Sequence, residues 1–198
     1  MTADQCEHTG MAVATAEAAL VVRARSDPAA FAPLYTRYFP RIYGYCLRRL
    51  GSATEAEDLT STVFIHALAG LAGFRDGSFA AWLFQIAHHD VASHLRRQRS
   101  TRTLLTALIP TADSHPGVED EVIGQMLEAE QNAHLARVIA DLSEEQQELL
   151  ALKVSGRLSS KEIAAVLGKS DGAVRVALHR LVQRMRAAYQ EQEAEEGA

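Results

Sequence analysis

The pattern of apolar and polar positions predicts helices throughout this chain. Apolar residues recur at spacings of three and four, which is the period of one helix face. One such stripe comprises Val174, Leu178, Leu181 and Met185. Strict apolar–polar alternation, which a half-buried strand would show, is not found in the sequence. The predicted fold class is therefore all-α.

Start and stop signals divide the first part of the chain. A helix is predicted over about 14–25, and a second begins after Asp27, a capping residue. Pro28 then occupies the first helical position, where its missing amide hydrogen costs nothing. Pro40 is predicted to kink or restart this second helix, and Gly51 to end it.

Two further helices are predicted before residue 100. Thr54 and Glu57 have the spacing of a capping box, in which two side chains satisfy the first amides of a helix. The segment 69–78 contains three glycines and is predicted to be a loop. A long helix should then run over 79–99 and end in the basic sequence RRQR.

Helical signals resume in the second half of the chain, over about 119–140. Ser143 and Gln146 form another capping-box pair, which predicts a helix over 144–154.

Residues 159–186 predict two short helices joined by a glycine turn. Ser159 and Glu162 have capping-box spacing, Gly168 is placed to end the first helix in a left-handed conformation, and Ser170 can cap the second. The inward positions of the first helix are Ile163, Ala164 and Leu167. The second helix should expose Arg175, Val176, His179, Gln183 and Arg186 opposite its apolar stripe. This is the layout of a DNA-binding helix-turn-helix.

These elements predict two small helical domains joined by a flexible linker, with the helix-turn-helix in the C-terminal domain. A disordered extension is predicted at 1–13 and the N-terminal domain at 14–99. A linker rich in Pro, Ser and Thr follows at 100–118, then the C-terminal domain at 119–189 and an acidic tail at 190–198.

The charge of the chain is unevenly distributed. The net charge is −5, yet residues 28–110 hold nine Lys and Arg against five Asp and Glu, and residues 142–189 hold eight against five. Residues 111–141 hold one against seven. Local patches set phosphate attraction because charges are screened over roughly 8 Å. Two separate DNA contacts are therefore compatible with an acidic total.

Composition also limits the class of protein. No apolar segment approaches the roughly 20 residues of a membrane span, which predicts no membrane insertion. The start of the chain carries Asp4 and Glu7 and does not resemble a secretion signal. The two cysteines, Cys6 and Cys46, are too few for a disulfide framework. A cytoplasmic protein is expected.

Four segments together resemble an RNA polymerase sigma factor of the extracytoplasmic-function (ECF) type. They are DPAAFAPLYTRYFPRIYGYCLRRLG (27–51), AEDLTSTVFIHAL (56–68), FAAWLFQIAHHDVASHLRRQR (79–99) and LSEEQQELLALKVSGRLSSKEIAAVLGKSDGAVRVALHRL (142–181). The order of these motifs is far more specific than a helix-turn-helix alone.

The resemblance implies roles for particular residues. Those expected to contact core RNA polymerase are Asp58, Ser61, Thr62 and Ile65. Those expected at melted minus-ten promoter DNA are Phe74, Arg75, Asp76, Ser78, His88, His89, Arg96, Arg97 and Arg99. Those expected at the minus-35 element are Ser170, Asp171, Arg175, Val176 and His179. Core polymerase, promoter DNA and an anti-sigma factor are the implied partners.

Some positions depart from the family pattern or have a second interpretation. His88 and His89 stand where Arg-Asn is common, and Ser61 and Thr62 where Gln-Glu is common. Ala177 replaces a residue that is often basic. His89 continues a spacing with Trp82, Ile86 and Ser93, so it could face inward instead of contacting a base. The RRQR run could also be a solvated helix end that complements the helix dipole.

Three other functions are alternatives to that of a sigma factor. A DNA-binding regulator would act without polymerase, and an interaction module or antagonist would bind no DNA. An enzyme is not expected, because the sequence has no phosphate loop, no GxSxG and no paired-carboxylate site. Asp90 and His94 have metal-ligand spacing but lack further placed ligands. No catalytic residue, cofactor, metal or small-molecule substrate is therefore expected.

Overall fold

The structure, a computed structural model, describes residues 16–108 and 138–196, with side chains over 16–101 and 138–190. All regular elements in these ranges are helical, which confirms the all-α class. The N-terminal domain contains α1 (16–24), a 3₁₀ turn Pro28–Phe31, α2 Ala32–Leu50, α3 Ala53–Gly70, a 3₁₀ turn Leu71–Gly73 and α4 Phe79–Leu108. The C-terminal domain contains a helical turn at 138–140, α5 Glu144–Val154, α6 Ser160–Leu167 and α7 Asp171–Glu196.

Several predicted segments fall outside the described residues. They are the extension at 1–13, residues 109–118 of the predicted linker and 119–137 of the helical segment expected before residue 140.

The predicted ends of the second helix are confirmed, with one difference at its start. The Asp27 side chain accepts a hydrogen bond from the Ala29 amide at 3.0 Å. The chain first forms a 3₁₀ turn at Pro28, and the α-helix begins only at Ala32. Gly51 ends α2 in a left-handed conformation with φ 72°, which a residue with a side chain rarely adopts.

Of the two outcomes predicted for Pro40, a restart of the helix is not found. Helix α2 is continuous from Ala32 to Leu50, with Pro40 inside it and exposed. Tyr38 and Ile42, two residues before and after the proline, are both buried in one core. This shared packing outweighs the lost backbone hydrogen bond.

The predicted start of α3 and the predicted loop after it are corrected. Ser52, not Thr54, caps α3, and its hydroxyl accepts a hydrogen bond from the Glu55 amide at 3.3 Å. The stretch expected to be a loop is helical as far as Gly70 and continues as the 3₁₀ turn Leu71–Gly73. Only 74–78 is irregular.

Both long helices extend further than expected. Helix α4 continues past Arg99 to Leu108, into the predicted linker. Helix α7 continues through the predicted acidic tail to Glu196. The first proline after Arg99 is Pro110, so the sequence contains no strong helix breaker before α4 ends.

The N-terminal domain is held together by aromatic and aliphatic packing between α2, α3 and α4. Tyr45 of α2 is completely buried and packs edge-on against Phe84 of α4, with ring centroids 5.6 Å apart. Phe64 of α3 packs against Phe31 and Tyr35 at centroid distances of 6.3 and 4.6 Å. The Tyr45–Phe84 contact holds α4, which carries most of the candidate minus-ten residues, against α2.

The helix-turn-helix of the C-terminal domain forms as predicted. Both capping boxes are present, at Ser143 with Gln146 and at Ser159 with Glu162. Gly168 ends α6 in a left-handed conformation with φ 64°. The inward-facing stripe of α7 is confirmed, since Val174 and Leu181 are buried and Leu178 and Met185 are partly buried.

The two domains pack against each other and share one continuous core. Helix α5 lies on α2, and α6 lies on α4. The α5 residues 149–152, with sequence LLAL, are all buried, which places this helix between its own domain and the N-terminal one. Gly156, at the turn after α5, lies so close to α4 that an added Cβ would come within 3.1 Å of the Phe84 ring.

Candidate nucleic-acid interface

Helix α7 presents an exposed face opposite its buried stripe. Arg175, Val176 and His179 are all exposed, and Val176 retains 51% of its surface. The Ser170 hydroxyl accepts a hydrogen bond from the Ala173 amide at 3.2 Å, so Ser170 caps the helix as predicted. The expected minus-35 residues therefore lie together at the N-terminal end of α7, the end that a recognition helix inserts into a major groove.

Asp171 and Arg175 form an ion pair one helical turn apart on this face. The hydrogen bond from Arg175 lowers the pKa of Asp171 below its ordinary value. The same bond raises the pKa of Arg175. Arg175 is exposed and Asp171 is partly exposed, so solvent screens the pair and DNA could displace the carboxylate.

The loop 74–78 contains both packed and exposed members of the predicted minus-ten set. Phe74 is partly buried, with its ring 5.3 Å from Trp82 and 5.9 Å from Phe79 between centroids, and its carbonyl accepts a hydrogen bond from Arg25. Arg75 and Asp76 are exposed. Trp82 packs against the core, as the sequence suggested.

The α4 residues of the minus-ten set are also divided. His89 is exposed, so the alternative in which it packs inward is not the arrangement found. Arg96 and Arg97 are exposed and donate hydrogen bonds to Ser93, at 3.0 Å to its hydroxyl and 3.3 Å to its carbonyl oxygen.

The three remaining candidates, Ser78, His88 and Arg99, are each paired with a glutamate of the C-terminal domain. The Ser78 hydroxyl donates to Glu162 at 2.5 Å. His88 Nδ1 lies 2.9 Å from a Glu148 carboxylate oxygen. Arg99 forms an ion pair with Glu144. These three contacts were not predicted from the sequence.

Glu148 is the most buried of these glutamates. It also lies 2.8 Å from Arg49 Nε and accepts a hydrogen bond from the Tyr45 hydroxyl at 2.6 Å. Burial alone would raise the pKa of Glu148, but the hydrogen bonds from His88 and Tyr45 and the charges of His88 and Arg49 hold it below its ordinary value. Glu148 is therefore a carboxylate with three partners from the N-terminal domain. In the sequence, the only indication that Glu148 is buried was its position directly before the apolar run LLAL.

Helix α3 presents a separate exposed stripe. Asp58, Ser61 and Ile65 are exposed, Thr62 is partly exposed, and Ile65 retains 67% of its surface. The hydroxyls of Ser61 and Thr62 donate to the carbonyl oxygens four residues earlier, at 3.0 Å each. Leu68, one turn beyond Ile65, is 43% exposed and extends the stripe.

Other kinds of site are not evident in the parts of the chain that the structure covers. Over those residues, no group of three or more His, Cys, Asp and Glu side chains is placed to hold a metal ion. Asp90 instead pairs with His66 at 2.9 Å. None of the helices in the described ranges combines the length and apolar character needed to cross a membrane.

The fold and these exposed faces define a two-domain helical protein with a DNA-binding helix-turn-helix. Its residues 34–101 match the model of Sigma-70 region 2, and residues 134–185 match that of Sigma-70, region 4. The chain belongs to the ECF RNA polymerase sigma factors, a family of transcription initiation factors.

Similar proteins of known identity support this assignment. The chain is 35% identical over 167 residues to the ECF RNA polymerase sigma factor BldN of Streptomyces coelicolor, covering 83% of this chain and 62% of BldN. It is 36% identical over 180 residues to ShbA of Streptomyces griseus, covering 85% of this chain and 93% of ShbA. YlaC of Bacillus subtilis is 32% identical and covers 74% of this chain and 84% of YlaC.

Solved structures share the fold. CnrH, in complex with the cytosolic domain of CnrY, superposes with a TM-score of 0.63 at 24% identity, covering 87% of this chain and 96% of CnrH. RpoE of Bartonella quintana, in complex with the anti-sigma factor NepR, superposes with a TM-score of 0.61 at 22% identity, covering 81% of this chain and 96% of RpoE.

Proposed function

We propose that this sigma factor binds core RNA polymerase through α3, reads the minus-35 element with α7 and captures melted minus-ten DNA with the loop 74–78 and α4. The exposed face of the helix-turn-helix carries the proposal, because it places Arg175, Val176 and His179 together at the end of a helix. Arg to guanine is the commonest specific contact in a major groove.

Polymerase binding is assigned to the stripe on α3. Asp58, Ser61 and Ile65 follow helical spacing and share one exposed face. Ile65 is a large apolar side chain with 67% of its surface exposed, beside the exposed Leu68. An apolar centre rimmed by polar groups is typical of a protein-binding surface.

Strand capture is assigned to the loop and to one side of α4. Unstacked bases can be held by aromatic and planar side chains and by a shaped loop. Phe74, Arg75, Asp76 and Ser78 supply that loop. His88 and His89 follow on α4, and Arg96, Arg97 and Arg99 would contact backbone phosphates further along the helix.

This function requires binding and positioning and no covalent chemistry. We place the protein in the cytoplasm, where polymerase and promoters are found. We also propose an anti-sigma protein as its regulator, since CnrH and RpoE were solved in complexes with CnrY and with the anti-sigma factor NepR.

A footprint of a promoter complex tests the proposal. Core polymerase with this chain should protect both the minus-35 and the minus-ten region and should make minus-ten thymines reactive to permanganate. Neither protein alone should do so. A footprint produced by the chain without polymerase would favour a conventional DNA-binding regulator, and no footprint in any mixture would favour an interaction module.

A further inference from the structure

One arginine at the end of α1 holds the loop 74–78 by its backbone. Arg25 directly follows α1, and its guanidinium donates hydrogen bonds to the carbonyl oxygens of Phe74 and Arg75, the second at 3.4 Å. The guanidinium carbon also lies 6.0 Å from the centroid of the Phe74 ring, at the distance of a cation–π contact. A single side chain, 49 residues before Phe74, therefore contacts two successive residues of the loop.

The surroundings of the loop leave it room to move without this contact. A cavity of about 580 Å³ lies between α1 and the loop, with Val22 and Arg25 among its lining residues on one side and 74–78 on the other. Gly77, within the loop, has φ 104°, a conformation that depends on the absence of a side chain. A carbonyl oxygen outside a helix or strand also needs a partner from elsewhere, and Arg25 supplies it. Arg25 therefore restrains a segment that packing alone does not fix.

Helix α1 is itself anchored, so Arg25 extends from a fixed support. Val21 and Ala24 are buried in the core of the domain. One turn before Val21, the Glu17 carboxylate accepts a hydrogen bond from the Tyr38 hydroxyl of α2 at 2.8 Å. These contacts hold α1 against α2 on one side of the cavity, and Arg25 reaches the loop from there.

We propose that Arg25 is a positioning residue for strand capture: it fixes the backbone at Phe74 and Arg75, so that the loop meets the melted minus-ten strand in one conformation. This inference rests on the proposed function and assigns to it a residue outside both the loop and α4. A loop that is ordered before binding loses less conformational freedom on binding, which raises its affinity for DNA. Because the backbone sets where the side chains of the loop point, the tether should also sharpen the preference for one base.

Arg23 and Arg25 provide a matched pair of variants. Both are exposed, and they lie two positions apart at the end of α1. Within the described ranges, no hydrogen bond or ion pair is found for the Arg23 side chain, whereas Arg25 contacts the loop. Arg23→Ala and Arg25→Ala therefore remove the same charge, but only Arg25→Ala releases the loop. Arg25→Lys keeps the charge and loses the planar fork of donors, so it should restore part of the function.

Trp82, the only tryptophan of the chain, reports the position of the loop without DNA. It is partly buried, and its ring centroid lies 5.3 Å from that of Phe74. Arg25→Ala should free Phe74 from this contact, so acrylamide should quench Trp82 fluorescence about twofold more effectively than in the parent chain. Arg23→Ala should match the parent chain, and Arg25→Lys should lie between the two alanine variants.

DNA binding is measured with the holoenzyme formed from core polymerase and the full chain. The probe is a fluorescein-labelled single-stranded oligonucleotide with the minus-ten sequence of a promoter that the holoenzyme transcribes, and fluorescence anisotropy gives its affinity. Arg25→Ala should lower this affinity about tenfold, which corresponds to about 1.4 kcal/mol. It should also reduce the difference in affinity between this oligonucleotide and versions with one base replaced. Arg23→Ala should change the affinity by less than about twofold, because solvent and salt screen an exposed charge.

Each possible result decides the inference. Unchanged quenching of Trp82 in Arg25→Ala would overturn it, since any loss of affinity would then mean that Arg25 contacts DNA itself. Increased quenching with unchanged affinity and base preference would also overturn it, and so would equal losses of affinity in Arg23→Ala and Arg25→Ala.

The parent holoenzyme separates this inference from the proposed function. A parent holoenzyme that does not bind the minus-ten strand would contradict the proposed function itself. A parent holoenzyme that binds the strand no more tightly than Arg25→Ala would contradict only the role of Arg25. The affinity of each variant for core polymerase, measured alongside, should equal that of the parent chain.

Discussion

His88 Nδ1 of α4 lies 2.9 Å from the carboxylate of Glu148 in α5, across the boundary between the two domains. Sixty residues separate the pair along the chain. Arg49 and Tyr45 contact the same carboxylate from α2. One buried glutamate thus links the C-terminal domain to two helices of the N-terminal domain.

Glu148 should make the stability of the folded protein depend on pH. Its pKa in the folded protein is below the ordinary value of 4.5, so its ionised form stabilises the folded state above that pH. This contribution is lost as the pH falls through the folded-state pKa. The free energy of unfolding can be measured with urea at about pH 7 and at about pH 3.5. Its decrease between the two pH values should be larger for the parent chain than for Glu148→Gln. Parallel losses would show that Glu148 is not the responsible group.

Arg175 should contribute to recognition of a specific base. On promoters with an intact minus-35 element, Arg175→Ala should cost about 1–3 kcal/mol of binding free energy. Transcription from these promoters should therefore fall by roughly 5- to 150-fold. Promoters mutated in that element should be affected much less. Abortive-initiation rates on the two promoter sets give the comparison. The same loss on both sets would mean that Arg175 contacts only phosphate.

His89 should affect the choice of minus-ten base. It is exposed on α4, next to the paired His88. His89→Ala should change the preferred base when the minus-ten positions of a promoter are randomised and the transcripts are sequenced. An unchanged preference with normal activity would remove His89 from the set of base contacts.

Ile65 should be important for binding core polymerase. Ile65→Asp places a charge at the apolar centre of the α3 stripe and should weaken binding at least tenfold, about 1.4 kcal/mol. Val22→Asp is a suitable control, because Val22 is 61% exposed and belongs to α1, not to the α3 stripe. Titration of a labelled chain with core polymerase measures both affinities. Similar affinities for the two variants would place the contact elsewhere.

Cys46 should be unreactive in the folded protein. It is completely buried, and burial raises the pKa of its thiol to about 11. Only the thiolate attacks alkylating and disulfide reagents. In a Cys6→Ser variant, whose only thiol is Cys46, reaction with a chromogenic disulfide should be at least about 100-fold slower in buffer than in urea. Comparable rates would show that α2 exposes this residue readily.

Signals that lie within a few residues of one another predicted much of the fold. The capping boxes at Ser143 and Ser159 and the left-handed glycines, Gly51 and Gly168, depend only on neighbouring backbone, and all four are found as expected. The Ser52 cap was missed because the sequence SATEAE contains two overlapping capping-box spacings. The cap adopted directly follows the Gly51 turn.

Features that depend on tertiary packing were predicted less well. Pro40 was expected to kink or restart a helix that in fact runs through it, with residues on both sides packed in one core. The pairs that Ser78, His88 and Arg99 form with the other domain join residues 45 to 84 positions apart, so no local spacing indicates them. The buried run LLAL was the available hint, since four consecutive apolar residues make one helical turn apolar on every side, and such a turn must be covered on every side.

The sequence predicted which faces of the candidate site are exposed, but not the contacts that some of its residues make with the other domain. The exposed face of α7 and the basic side of α4 were identified, and His89 is exposed, as base contact requires. The engagement of Ser78, His88 and Arg99 by the C-terminal domain was not anticipated. It depends on how the two domains meet, which the sequence pattern of either domain alone does not specify.

The most direct test of the central claim is to map transcript start sites on a library of genomic fragments, using core polymerase with and without this chain. The account predicts a small set of new starts, preceded by shared minus-35 and minus-ten sequences and present only when the chain is added. Identical start sites in both reactions would contradict it.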